Sequence, residues 1–187
     1  SNSTIASTIY NATLVFAAMS DTFDGTYSNS SKSNIEVNGY KLSVRRDCSG
    51  FMGAILNAMG YNMPDCDGNG TIPGAGDFGT EGCSSAITNI DGSSCEGDWT
   101  DIAYDEASLM AGDFVSDVNH VEMYVYTDVN GYKHGYNAGA TDAIQKGFKV
   151  AKKILEDIEI TNKNNKDTVI YHEASMAIKF ANIESSL

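Results

Sequence analysis

The chain has 187 residues, of which 42% are hydrophobic and 10% aromatic, enough for one domain spanning residues 1–187. Its 25 acidic and 12 basic side chains leave a net charge of −13, which argues against nucleic-acid binding and against docking on anionic membranes. No apolar stretch approaches the roughly 20 residues of a membrane-spanning helix. No basic segment followed by an apolar one marks a signal peptide and no initiating Met is present, so the expectation is a mature or trimmed form.

In chain order, Ile5, Ile9, Ala12, Phe16 and Met19 recur at helical spacing, predicting a helix from Ser3 to about Met19. The Ser- and Asn-rich stretch Ser20–Asn34 reads as a loop. Ile35–Val44, with its Val37-Asn38-Gly39-Tyr40 turn signal, predicts a short hairpin or a loop with one strand. Asp47–Gly60 is the best helix: Asp47 or Ser49 caps it, Phe51, Ile55 and Met59 share a face, and Gly60 stops it.

Pro64–Asp98 is Gly-rich, acidic and weakly patterned, as expected of an insertion over a core. Val121–Tyr126 and Tyr132–Ala138 flank an Asn130-Gly131 hairpin signal. A second amphipathic helix is predicted from about Thr141 to Ile158, then a polar turn at Asn162–Asp167. Strand-like runs follow at Thr168–Tyr171 and Met176–Ile183. Helices followed by antiparallel strands make the predicted class α+β. His172, beside Glu173, is read as structural.

Four cysteines occur. Cys48 stands where the Asp-capped helix begins, and the positive end of a helix favours the nucleophilic thiolate. Ser49 and Gly50 keep the first turn small, so a carbonyl can approach the sulfur and the neighbouring backbone N–H groups, a potential oxyanion hole. Cys66, Cys83 and Cys95 show no CxxC, which disfavours zinc; one disulfide among them and free thiols both fit the spacing.

Asp47-Cys48-Ser49-Gly50 at a helix start resembles the nucleophile motif of the NlpC/P60 family of papain-like cell-wall peptidases. Gly112-Asp113, followed by His120-Val121 at a strand start, is similar to the second half of that family's pattern. The resemblance covers roughly Arg46 to Gly139. It implies a papain-like fold in which His120 takes the proton of Cys48, and a third polar residue on the next strand orients the imidazole. A two-residue Asn130-Gly131 turn sets Asn137 opposite Tyr124 and His134 opposite Thr127. Asn137 is therefore the expected third residue and His134 the alternate. Glu122 occupies a position the family often fills with Gly.

The resemblance further implies hydrolysis of an amide in peptidoglycan stem peptide or cross-bridge, in an extracellular, cell-surface or virion-associated setting, with no required cofactor. Two alternatives use the same chain differently. One is a non-enzymatic structural or binding module of a virion or cell surface. The other is an acyltransferase or amidase working through the same residues. Separately, Asp65, Asp67 and Asn69 fall at positions 1, 3 and 5 of a calcium-loop pattern with Gly70 at 6, but position 12 is Gly76 rather than Glu. An acidic Gly-rich turn is the competing explanation, so Ca²⁺ is an expectation of second rank.

Overall fold

The computed structural model describes residues 2–22, 28–66, 73–79, 83–95, 98–103, 107, 109–116, 120–127, 129, 133–136, 138 and 176–180. The fold is α+β with antiparallel sheets. Helix α1 (Asn2–Thr22) buries Ala12, Val15, Phe16 and Met19, the stripe its spacing predicts, and runs three residues past Met19 into the expected loop.

Strands β1 (Lys32–Val37) and β2 (Tyr40–Arg45) form the hairpin signalled by Asn38-Gly39. Both turn residues have positive φ, 53° and 79°, as a two-residue turn matched to strand twist requires. Each strand alternates exposed and buried residues, setting Ile35, Val37, Leu42 and Val44 into the core.

Helix α2 (Cys48–Ala58) is capped by Asp47, whose side chain accepts from the Gly50 N–H at 2.8 Å. Phe51, Met52, Ile55 and Leu56 are buried. Gly60, at φ +90°, occupies the left-handed conformation that ends the helix, a position any side chain would strain.

The segment Pro64–Asp98 departs from the expectation of a weakly structured insertion. Around it come β3 (Tyr61–Asn62), α3 (Ala75–Gly79), a 3₁₀ turn (Cys83–Ala86) and β4 (Thr88–Asn89). Phe78 is fully buried and meets the Phe114 ring edge-on at 5.6 Å; Met63, Cys83, Ile87 and Cys95 are buried too. A Cys66–Cys83 disulfide closes this segment, while Cys48 and Cys95 are free. The buried apolar residues are sparse, and Ile90 stays exposed, so no periodicity announces the packing.

The main sheet has the order β5 (Trp99–Ala103), β9 (Met176–Phe180), β6 (Phe114–Ser116), β7 (Val121–Thr127), β8 (Lys133–Tyr136), every pairing antiparallel. The strands β5 and β6 were not anticipated. The predicted helix at 141–158, the turn at 162–167 and the strand at 168–171 lie outside the described residues. Two aromatic groups bind the layers. Phe16 of α1, Phe51 of α2 and Tyr136 of β8 meet with centroids 5.1 to 6.2 Å apart, and Trp99 stacks on Phe114 at 5.6 Å.

The β7–β8 register corrects the expected one. Thr127 pairs with Lys133 and Tyr126 with His134, then an irregularity shifts the ladder so that Tyr124 faces Gly135 and Met123 faces Tyr136. The pairs nearest the turn are thus one residue off the register of a two-residue Asn130-Gly131 turn, and a bulge absorbs one residue of β7.

Candidate active site

Arg45, Asp47, Ser49 and Gly50 together fix the start of α2. The Arg45 guanidinium pairs with Asp47 through Nε at 2.8 Å, and its Nη2 donates to Ser49 Oγ at 2.5 Å and to the Pro73 carbonyl at 2.7 Å. Asp47 is buried, and the Arg45 cation with the Gly50 N–H compensates its charge. A Cβ on Gly50 would collide with the Arg45 carbonyl, so only glycine lets the chain fold back over the helix start. The result holds Cys48 at the first helical position. Asp47 takes the Gly50 N–H, and the N–H groups of Cys48 and Ser49, in the same first turn, have no acceptor within the helix.

Cys48 is 4% exposed and lies beneath the surface of the helix start. His120 stands directly before β7, and the packing of α2 on that strand brings imidazole and thiol into hydrogen-bond contact. On the other side, His120 Nε2 meets Glu122 Oε1 at 2.5 Å. The imidazole thus contacts both the Cys48 thiol and the Glu122 carboxylate. Residues two apart on a strand project to the same side, which is how His120 and Glu122 meet without a second strand.

Burial works against a charge on His120, yet the hydrogen bonds to Cys48 and Glu122 and the charge of the Glu122 carboxylate outweigh it. The imidazolium is favoured and its pKa rises to about 11. Glu122 is 4% exposed, so its carboxylate meets the cation largely out of water. The arrangement contains a thiol, a base that can carry its proton, and a carboxylate that fixes the base, the three roles of a nucleophilic triad.

The expected third residue, Asn137, lies outside the described residues. The backbone of the alternate, His134, pairs with Tyr126, six residues along β7 from His120 and so roughly 20 Å away at strand rise. Sequence reasoning missed Glu122. It was noted only as a departure from the family's Gly, although strand alternation places residue 122 beside residue 120.

Of the calcium-loop residues, Asp67 and Asn69 lie outside the described residues, and Asp65 is described alone. Asp77, next to loop position 12, is fully buried and uses its two oxygens on the backbone N–H groups of Cys66 and Gly74, both at 2.7 Å. Its carboxylate also clusters with Cys66 and Cys83, but with their sulfurs joined in a disulfide that group offers no thiolate to a metal. Comparisons of the chain with family models, with curated proteins and with solved structures find no match.

Proposed function

We propose that this chain is a cysteine-dependent amide hydrolase of the papain-like, NlpC/P60 type, acting on peptidoglycan stem peptide or cross-bridge. Cys48 is its nucleophile, His120 its acid and base, and Glu122 the residue that orients His120. The observation that carries this is the run of contacts from Cys48 to His120 to Glu122. The Asp47-Cys48-Ser49-Gly50 helix start and the His120-Val121 strand start supply the substrate class by resemblance.

The chemistry follows from the positions. The Cys48 sulfur, its proton held by His120, attacks the amide carbon, and negative charge gathers on the carbonyl oxygen near the Cys48 and Ser49 N–H groups. Collapse of this intermediate breaks the C–N bond as His120 gives its proton to the departing amine, leaving a thioester on Cys48. Water then loses a proton to His120 and adds to the thioester. A carboxylic acid leaves and the thiol is restored. Glu122 keeps the imidazolium from turning between these steps. The Cys66–Cys83 disulfide supports an oxidising, extracellular or virion-associated setting.

The test is loss of turbidity of purified cell walls on adding the protein, with mass spectrometry of the released fragments. Fragments with new amino and carboxyl ends, absent with Cys48→Ala, are expected. Intact stem peptides after exhaustive incubation would overturn the proposal.

A further inference from the structure

A second feature of α2 is not explained by the candidate active site. Gly50, Gly53 and Asn57 are the residues of this helix between Cys48 and Ala58 that the core leaves half-buried. At 100° per residue Gly53 and Asn57 lie on the flank turned away from Cys48. Gly50 is required by the Arg45 carbonyl. Gly53 has no such reason, since a Cβ built there meets nothing within 4 Å. A helix-interior glycine costs about 0.5–1 kcal/mol relative to alanine. The fold therefore carries a destabilising residue at a position where it does not need one.

Gly53 lines a cleft of about 200 Å³ between α2, β2 and the ends of β1 and β3. Its wall holds Lys32, Arg45, Ser49, Asn57 and Asn62 and, among the described residues, no acidic side chain. This is unexpected in a chain with 25 acidic and 12 basic side chains. Lys32 and Arg45 face each other across the β1–β2 ladder, two cations in register. Arg45 is compensated by Asp47, whereas Lys32 meets no carboxylate among the described residues. Asn57 is fixed by donating Nδ2 to the Tyr61 carbonyl at 2.8 Å, which leaves its Oδ1 and second N–H for a ligand.

We propose that this cleft is a binding site for a carboxylate-bearing ligand arm, with Lys32 supplying the charge, the Asn57 and Asn62 amides supplying hydrogen bonds, and Gly53 leaving room for the arm. One ammonium with neutral amides suits a single negative charge better than a phosphate dianion, which favours clustered guanidinium groups. The site is independent of hydrolysis at Cys48, so it can be tested in the Cys48→Ala protein.

The probes are N-acetyl-Ala-Ala with a free carboxylate and the same dipeptide as its C-terminal amide, titrated by calorimetry and by amide chemical shifts. The carboxylate form is expected to bind at least about tenfold tighter, the size of one charge-assisted hydrogen bond. It should shift the Gly53 amide, and Lys32→Ala should remove the preference. Gly53→Leu should block binding while keeping or raising the melting temperature, and Gly53→Ala gives a graded version should leucine disturb the fold. Equal affinity for acid and amide overturns the site. So does undiminished binding to Lys32→Ala, or inorganic phosphate competing as well as the carboxylate.

Discussion

Glu122 meets His120 from two positions further along the same chain, Oε1 to Nε2 at 2.5 Å, while His120 also holds the Cys48 thiol. The orienting group thus comes from the base's own strand. Glu122→Gln keeps the shape but removes the charge that helps raise the His120 pKa to about 11. The alkaline limb of the pH–rate profile is expected to move to lower pH, with kcat falling roughly 10²- to 10⁴-fold by analogy with other triads. Asn137→Ala is the matched comparison, expected to cost less. An unmoved limb in Glu122→Gln would show that the carboxylate does not govern His120.

The same coupling ties stability to pH. The folded His120 pKa of about 11 lies above its ordinary 6.5. Its contribution is therefore complete below about pH 6.5 and fades as pH climbs through 11. Urea midpoints between pH 6 and 10.5 should fall, and His120→Ala should flatten that slope. Identical slopes in the two proteins would refute the coupling.

Cys48 and Cys95 are both buried, so accessibility alone does not separate their reactivity. Burial, then the nearby Asp98 carboxylate, push the Cys95 thiol up, and its sulfur donates to the Ile87 carbonyl at 3.1 Å. Cys48 has an imidazolium beside it instead. Iodoacetamide at pH 7 is expected to label Cys48 at least about tenfold faster, because His120 can take its proton as the sulfur attacks. Peptide mapping gives the rates. Cys48→Ala should abolish amide cleavage and change stability by about 1 kcal/mol.

Two glycines on one helix should answer oppositely to alanine. Gly50→Ala drives a methyl group into the Arg45 carbonyl and should cost more than about 2 kcal/mol, displacing Cys48. Gly53→Ala meets open space and should gain up to about 1 kcal/mol. Differential scanning calorimetry distinguishes them, and equal shifts would contradict the described helix start.

The Cys66–Cys83 bridge spans 17 residues and encloses α3 with its buried Phe78. Cys66→Ser with Cys83→Ser is expected to lower stability by about 3 kcal/mol. A thermal melt indifferent to reductant would show that the bridge does not form.

The features legible in the sequence were those with local causes. The stripe Ala12–Phe16–Met19, the Asp47 cap, the Gly60 stop and the Asn38-Gly39 turn each act within a few residues. So does the helix-start position of Cys48. The β7–β8 register was misjudged twice over: the pairs next to the turn are already one residue off a two-residue Asn130-Gly131 turn, and the bulge between Tyr124 and Tyr126 adds a second shift that no turn motif encodes. Segment 64–98 looked loose because Phe78 finds its partner, Phe114, far along the chain. Glu122 was overlooked because its value comes from a neighbour two positions away, and a motif comparison records only that it is not Gly.

The place of β9 in the sheet bears on how the molecule comes into being. Met176–Phe180 lies between β5 and β6, and Trp99 pairs with Phe180 some eighty residues further on. During synthesis β5 must wait, unpaired on that side, until residues 176–180 have left the ribosome. Such distant pairings are slow to form. A nascent or truncated chain would expose the edges of β5 and β6, which invites association with other unfinished copies.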